Sequence, residues 1–271
     1  MKRCKAFFID WGDFMAYDYD AFMKDIFKLT GIDLTFYKQN QMKRRIDALI
    51  SKSNYKNYEE YYAVIKTDKK QLAEFVEYIT INVSEFYRNP EQWEILTKRV
   101  FPELIKKYGT NLNIWSAACS TGDEPYSLVM ALSEFVPLNK IKITATDISD
   151  EVVGKAKIGL YSDKSIVNVP DKYKKEYFIQ NGPVYQISDK IKNCVTFKHH
   201  NLLKDDFLKN QHLIVCRNVL IYFTEDAKDE IFRKYYNSLT EGGILFIGST
   251  EQILRYKDIG YKRYDSFFYQ K

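Results

Sequence analysis

The chain holds little of what staples, metallates or anchors a protein. Four cysteines, Cys4, Cys119, Cys194 and Cys216, include no CxxC pair, and three histidines, His199, His200 and His212, show no metal-ligand spacing. Neither disulfides nor a metal site is expected. No stretch approaches the roughly 20 apolar residues of a membrane span. The segment Met1-Lys-Arg-Cys-Lys-Ala-Phe-Phe-Ile9 is basic and then apolar, but too short for a signal peptide and followed at once by Asp10 and Asp13. These absences point to a cytoplasmic protein with reduced thiols and no membrane insertion. Excess charge is scarce as well. The 41 Lys and Arg against 36 Asp and Glu leave a net charge of +5 over 271 residues, which favours acidic partners only weakly. Internal repeats and low-complexity tracts are missing.

What is present is ordinary for a soluble globular protein except for its rings. Hydrophobic residues make up 45% and charged residues 28%, while 22 Tyr and 18 Phe are an unusually aromatic share. The length admits one large α/β domain or a small domain joined to a medium one, and the periodicities favour the second. From Tyr17 to about Ile81 the apolar spacing is helical: Phe22, Ile26, Phe27 and Leu29 before a stop at Gly31, then Met42, Ile46, Leu49 and Ile50 along Asn40–Ser51. Helices near Tyr58–Lys66 and Lys69–Thr80 follow. Lys43, Arg44 and Arg45 crowd the polar side of the second helix. Asn89 as cap, Pro90 at the first helical position and Glu91 in the first turn start a helix that runs to Tyr108 and ends at Gly109.

Beyond that helix the rhythm changes. Leu112–Trp115, a helix to Phe135, Ile141–Thr146, a helix over Asp150–Lys157, Leu213–Cys216, a helix over Glu225–Leu239 and Gly243–Ile247 alternate strand with helix, and Gly242-Gly243 marks the turn into the last strand. Such alternation predicts a parallel sheet covered on both faces. Between Tyr161 and Lys198 it breaks. A Pro170 turn, a short helix near Tyr173–Phe178 and short strands over Pro183–Ile187 and Asn193–Lys198 read there as a small antiparallel insertion. The end, Ile259–Tyr269, predicts a terminal antiparallel pair. The expected organisation is a helical domain over 1–81, a linker and lead-in helix over 82–110, and an α/β domain over 111–271 with its insertion at about 161–198.

Five constellations carry chemistry. Ser116–Gly122 is a loop of small residues between strand and helix, which lets a ligand approach the backbone beside unpaired helix N–H groups. Asp123 and Glu124 in the following turn would repel a phosphate, so a ligand with ribose hydroxyls and positive charge fits better. Asp147 ends the next strand 25 residues after Gly122, where a doubly wound fold places an acid on a ribose; it also reads as an acid closing a strand before a helix capped by Ser149. The usual three-glycine fingerprint is missing. Arg217, Asn218 and Tyr222 follow the Leu213–Cys216 strand, at the sheet end that holds ligands; Ile221 and Phe223 read as core, and on spacing alone Tyr222 reads either way. Asn201-Leu202 reads as a base contact or as a turn. Asn82-Val-Ser84-Glu-Phe-Tyr-Arg88 reads as a lid over a cleft, or as a linker whose Phe86 and Tyr87 pack while Arg88 is solvated.

Taken in order, these segments resemble the CheR family, S-adenosylmethionine-dependent protein-glutamate O-methyltransferases of bacterial chemotaxis receptors. Asn82-Val-Ser-Glu-Phe-Tyr-Arg88 is similar to the family's N-[VL]-T-x-F-[FY]-R, and Ile114-Trp-Ser-Ala-Ala-Cys-Ser-Thr-Gly-Asp-Glu-Pro-Tyr-Ser127 to its W-S-A-[GA]-C-S-T-G-E-E-P-Y-S. Ala145-Thr-Asp-Ile148, Val215-Cys-Arg-Asn-Val-Leu-Ile-Tyr-Phe223 and Gly242-Gly-Ile-Leu-Phe-Ile-Gly248 complete the set. The resemblance implies a Rossmann-like class I methyltransferase sheet with a small β-subdomain, preceded by an all-α domain. It implies S-adenosylmethionine contacts at Asn82, Ser84, Arg88, Glu124, Asp147, Asn201, Leu202, Arg217 and Asn218, with Arg88 and Tyr222 beside the reacting methyl group. It implies that Lys43, Arg44 and Arg45 meet the acidic methylation helices of a receptor. Three departures stand out. Ser84 occupies the usual Thr position, Asp123 replaces the first Glu, and Gly248-Ser-Thr-Glu251 replaces G-H-S-E. The turn Gln180-Asn-Gly-Pro183 lacks the glycine-rich extension of members that dock on a receptor C-terminal pentapeptide, so no such tether is expected.

Methyl transfer to a glutamate carboxylate needs no general base, because the nucleophile titrates near about 4.3 and is already an anion at neutral pH. This suits motifs that offer an Arg and a Tyr instead of a His or Cys dyad. A nucleic-acid methyltransferase is disfavoured by Arg217-Asn218-Val-Leu where a D/N-P-P-Y/F element would stand, and by the lack of a dense Lys/Arg stripe. A non-catalytic scaffold is disfavoured by intact Arg88 and Tyr222. The expected protein acts as a monomer.

Overall fold

The computed structural model describes residues 17–271; the expectations for Met1–Asp13, and for Cys4, lie outside the described residues. The chain divides into two compact units. One comprises, among described residues, 17–35 and Gln39–Leu72; the other comprises Phe36–Lys38 and Ala73–Lys271. The second unit thus takes in a short strap from within the expected helical domain, and begins before residue 82.

The first unit is helical for local reasons. In α1 (Tyr19–Thr30) the Asp18 side chain accepts from the Ala21 N–H, and Gly31 closes the helix in the left-handed region at φ 73°. Next come α2 (Gln39–Lys52), α3 (Tyr58–Ile65), capped by Asn57 accepting from Glu60 N–H, and α4 (Lys69–Thr80), which runs across the division into the second unit. Phe22, Ile26, Ile46 and Ile65 are wholly buried, and the Phe22 ring packs 5.3 Å from Tyr58.

In the second unit α5 (Pro90–Ile95) runs through a π-helical turn at Leu96–Val100 into α6 (Phe101–Tyr108). The core then alternates β1 (Ile114–Ser116), α7 (Asp123–Leu132), β2 (Ile143–Asp147) and α8 (Asp150–Ile158). The insertion follows as β3 (Leu160–Ser162), α9 (Asp171–Tyr177), β4 (Phe178–Asn181), β5 (Val184–Ile187) and α10 (Asp189–Lys192). The main sheet resumes with β6 (Val195–His199), β7 (Gln211–Cys216), α11 (Glu225–Ser238), β8 (Leu239–Ile247), α12 (Tyr256–Ile259), β9 (Lys262–Asp265) and β10 (Phe268–Gln270). The seven strands lie in the order β6-β2-β1-β7-β8-β10-β9, the first five paired in parallel and β10 antiparallel to both β8 and β9. After β1 the chain builds outward through β2, then returns to the other side of β1 with β7. The carboxyl ends of β1, β2 and β7 therefore meet at the switch point, where such sheets bind ligands.

Three expectations need correction. The Asn193–Lys198 strand is not part of the antiparallel insertion: β6 pairs in parallel with β2, Ile143 opposite Val195 and Asp147 opposite His199. The insertion's sheet is β3-β5-β4 alone, so its antiparallel part ends at Ile187 and the insertion with α10 at Lys192, short of 198. An edge strand with one wetted face has the same alternation whichever way its neighbour runs, so periodicity could not assign it. Second, β8 begins at Leu239 and contains Gly242 and Gly243 instead of following them. Gly242 sits at φ 81°, and a Cβ on Gly243 would come within 3.0 Å of the Gln211 and Thr240 carbonyls. The pair register with β7 shifts there, so the glycines mark a bulge inside the strand. Third, Asn89 holds the N-cap position of α5 ahead of Pro90, as expected, but lies at φ 58° and makes no side-chain cap bond.

Among the described residues no helix is long and apolar enough to cross a membrane. The sheet core is aromatic. Phe268 of β10 is fully buried and stacks on Phe246 of β8 at 4.2 Å. Replacing Phe268 by Ala is expected to cost about 3–5 kcal/mol by loss of burial and a residual cavity. A urea midpoint unchanged from wild type would contradict the account of the terminal strands as core.

Candidate active site

One cleft at the carboxyl ends of β1, β2 and β7, enclosing about 930 Å³ of space partly open to solvent, is lined by Asn82, Ser84, Arg88, Glu124, Asp147, Asn201, Leu202, Arg217, Asn218 and Tyr222. All nine expected cofactor residues and both expected catalytic residues thus line the same cavity. Lys43, Arg44 and Arg45 do not line it. They lie on α2 of the other unit, where Lys43 is engaged by Asp47 and the Tyr58 hydroxyl at 3.1 Å each, while Arg44 is exposed.

The floor is built by the loop after β1. Ala117 N–H donates to the Val215 carbonyl and Cys119 N–H to that of Thr146, so the loop crosses the ends of the neighbouring strands. Ser120 and Gly122 take left-handed backbone at φ 46° and 89°, and a Cβ on Gly122 would meet that of Ala156 at 2.9 Å. Asp147 closes β2 nearly buried. Its Oδ2 accepts from Ser120 N–H at 2.8 Å and its Oδ1 from Ser149 N–H at 3.1 Å. Burial pushes this carboxyl up, and the backbone donors pull it back. Ile148 N–H also faces this carboxylate, which leaves part of its acceptor capacity for a ribose hydroxyl.

Glu124, in the first turn of α7, accepts from the Ser116 hydroxyl at 2.8 Å, and its Oε2 stands 3.6 Å from Nη1 of Arg217. Burial raises its pKa while the facing guanidinium lowers it. Asp123 is withdrawn from the cleft. It is 1% exposed, receives the Thr121 hydroxyl at 2.5 Å and is hydrogen-bonded by Ser84.

Arg217, 6% exposed just after β7, is the most heavily bonded side chain of the cleft. Its Nη2 donates to the Arg88 carbonyl at 2.7 Å, Gln92 Oε1 at 2.9 Å and Asn89 Oδ1 at 3.1 Å. Its guanidinium centre lies 4.8 Å above the Phe246 ring. This explains why Asn89 makes no side-chain cap bond: its side chain holds Arg217 instead. Asn89 and Gln92 are functional neighbours that the sequence reading missed, because a cap motif and a helix interior gave them sufficient local reasons.

The segment before α5 is packed where its rings are and open where its charge is. Phe86 is fully buried, edge-on to Tyr161 at 4.7 Å and Phe178 at 5.4 Å, and Tyr87 N–H donates to the Ser127 hydroxyl. Arg88 is half-buried and donates to the Val83 carbonyl at 3.3 Å. Ile81, Tyr87 and Asn89 all have positive φ, from 49° to 58°, a cost that tight packing must sustain. Tyr222 ends a 3-10 turn over Leu220–Tyr222. Lys38 N–H donates to the Tyr222 carbonyl at 2.9 Å, Thr224 N–H to that of Phe36 at 2.8 Å, and the Tyr37 ring lies 4.8 Å from Phe223. Tyr37, which also lines the cleft, carried no signal in the sequence: a three-residue strap has no period.

The donor set fits S-adenosylmethionine. Two buried acids, Asp147 and Glu124, give the cleft the acceptors that hydroxyls and a cationic group require, and the same acids would repel a pyrophosphate. Arg217 Nε and His200 Nε2, both on cleft residues, are buried without a hydrogen-bond partner, so polar capacity is left over.

Because burial raises both carboxyls, Glu124 and Asp147 take up protons above the ordinary carboxylate range. Protonation removes the negative charge that a cationic ligand meets, so affinity is expected to fall as pH drops from neutral. The stability sign is opposite. The folded chain binds more protons than the unfolded one between the two pKa values, so these groups' contribution to stability is lost as pH rises through that window. Calorimetric titration with S-adenosylmethionine at neutral and mildly acidic pH checks the binding arm; an affinity independent of pH would contradict it.

Sequence comparison agrees with this geometry. The family described as CheR methyltransferase, SAM binding domain, matches residues 82–264, and CheR methyltransferase, all-alpha domain, matches residues 17–80. A chemotaxis protein methyltransferase of Listeria innocua is 41% identical over 94% of this chain and 97% of its own length. Chemotaxis protein methyltransferase 1 of Pseudomonas aeruginosa is 35% identical over 87% of this chain and 90% of its own. That of Borreliella burgdorferi is 33% identical over 88% and 89%. The chain belongs to the CheR family of S-adenosylmethionine-dependent methyltransferases, whose all-α and cofactor-binding domains it carries in that order.

Proposed function

We propose that this methyltransferase esterifies glutamate side chains on the cytoplasmic helices of chemotaxis receptors, forming glutamyl methyl esters, and that it works in the cytoplasm. The observation that carries the reading is the grouping of Arg88 and Tyr222 with the buried acids Asp147 and Glu124 on one cleft. A carboxylate substrate needs no general base, because it is already an anion at neutral pH. The cofactor supplies an electrophilic methyl on a sulfonium. Asp147 takes the ribose hydroxyls, Asn201 and Leu202 the base edge, and Glu124 with Arg217 and Asn218 the amino-acid end. Asn82 and Ser84 close the rim above the loop, Ser84 through its bond to Asp123.

Arg88 is half-buried and donates to the Val83 carbonyl, so it can lead a substrate carboxylate into a cleft whose other guanidinium, that of Arg217, is already engaged. Tyr222 orients the reactants from a turn pinned by Lys38 and Thr224. Catalysis then rests on proximity, orientation and exclusion of water. The exposed part of the Lys43-Arg44-Arg45 face on α2 provides the cationic surface for an acidic receptor helix. The two-residue Gly182-Pro183 loop between β4 and β5 offers no extension for holding a receptor C-terminal pentapeptide, so the receptor is engaged without that tether.

Two measurements test this. Arg88→Ala is expected to lower turnover about 100-fold through misplacement of the carboxylate, read as alkali-labile radiolabelled methyl incorporated into receptor membranes. Turnover near wild type would remove Arg88 from the mechanism, and alkali-stable product would exclude ester formation. Charge reversal of Arg44 and Arg45 together is expected to raise KM for receptor and leave cofactor affinity alone, the pattern of lost uniform binding; an unchanged KM would dismiss α2 as the docking face.

A further inference from the structure

We infer that Glu251 is a positioning residue for the methyl-transfer site, acting as an internal anion that fixes the loop carrying Arg217, Asn218 and Tyr222. It lies in the turn after β8, 5% exposed. Its Oε2 accepts from Gly248 N–H at 2.8 Å and Asn218 N–H at 2.9 Å, and its Oε1 accepts from Leu220 N–H at 2.7 Å. Val219 N–H faces the same carboxylate. Consecutive amides that turn toward one point form a nest for an anion, and here the chain supplies the anion itself.

Two features show that the local backbone is shaped around this carboxylate. Asn218 adopts φ 60°, the left-handed conformation that turns its N–H inward. Gly248 has no room for a side chain: a Cβ there would stand 2.7 Å from Glu251 Oε2 and 2.9 Å from Asn218 N. Removing one buried carboxylate from water is costly unless donors replace the water, and several amides do so. In return, the loops following β7 and β8 are locked together at the sheet end where the cleft opens. An amide side chain cannot replace the carboxylate, because its NH₂ would face backbone donors.

The inference rests on the assignment of Asn218 and Tyr222 to the methyl-transfer site, and the experiment separates the two. Glu251→Gln keeps shape and loses acceptors; it is expected to weaken S-adenosylmethionine binding or lower kcat about tenfold or more, the scale of lost charge-assisted hydrogen bonds, with KM for receptor unchanged. Gly248→Ala keeps the charge but drives a Cβ into the carboxylate, and is expected to give the same kinetic pattern. Glu251→Asp, which keeps the anion one methylene shorter, should recover part of the loss. Parameters are taken on protein whose circular dichroism melt shows it folded, so a merely structural role would lower the melting temperature and leave kcat and cofactor Kd at wild-type values. If Glu251→Gln and Gly248→Ala both match wild type while Asn218→Ala is impaired, the positioning role is overturned and the site assignment stands. If Asn218→Ala and Tyr222→Phe also match wild type, the site assignment itself fails.

Discussion

The rest of the site depends on one buried guanidinium. Arg217 leaves the end of β7 and, through Nη2 alone, binds the Arg88 carbonyl, the Asn89 side chain and the Gln92 side chain, while Nη1 faces Glu124. Those partners come from the segment before α5, from α5 and from the first turn of α7. A planar fork with fixed donor directions can serve several acceptors at once, which a lysine ammonium on a flexible stem cannot do as rigidly. Burying the charge would be ruinous without partners. With them, it makes the conformation of Arg88 and its neighbours a condition of satisfying Arg217.

This knot has its place because of topology. The return of the chain from β6 to β7, past β2 and β1, puts three strand ends side by side, and each leads to a residue that the cleft uses: Ser116 supports Glu124, Asp147 closes β2, and Arg217 follows Cys216. The small sheet of β3, β4 and β5 supports the same region from the other side of Phe86, whose ring meets Tyr161 and Phe178, while the Tyr161 hydroxyl donates to the Thr121 carbonyl. The positive φ values at Ile81, Tyr87 and Asn89 are sustained by that packing.

Much of this was legible from residue order. Alternating periods announced the α/β sheet, and the motif residues Glu124, Asp147, Arg217 and Tyr222 fall on one cleft because strand ends are where a parallel sheet exposes backbone and side chains together. What escaped reading had a physical reason in each case. The direction of β6 depends on its partner, not on its own pattern. Asn89 satisfied every local criterion for a cap, yet a distant guanidinium competed for its side chain and won. Tyr37 enters the cleft from a strap too short to carry a period, paired with Phe223 through a single bridge. The departure at Asp123 is now understandable: the side chain points away from the cleft into a pair of hydroxyls from Thr121 and Ser84, a role a carboxylate of either length can fill.

The electrostatics of the cleft follow from the reaction it is proposed to run. A sulfonium and a carboxylate lose their charges as the methyl moves, so a dry site favours the transition state relative to separated, hydrated ions. A dry site cannot also hold loose ionised groups. Here each buried charge is spent on geometry: Asp147 on Ser120 and Ser149, Glu124 on Ser116 and Arg217, and Glu251 on the amides after β7 and β8. Each lies near the cleft wall, pinned by donors before any ligand arrives, so little reorganisation is left for the reaction itself. Arg88, by contrast, is only half-buried, and it is the cation placed to meet an anion arriving from solvent. A substrate whose nucleophile is already charged is served by that combination, rigid acidic groups around the cofactor and one accessible positive group at the entrance, and its methylation needs no proton to be removed first.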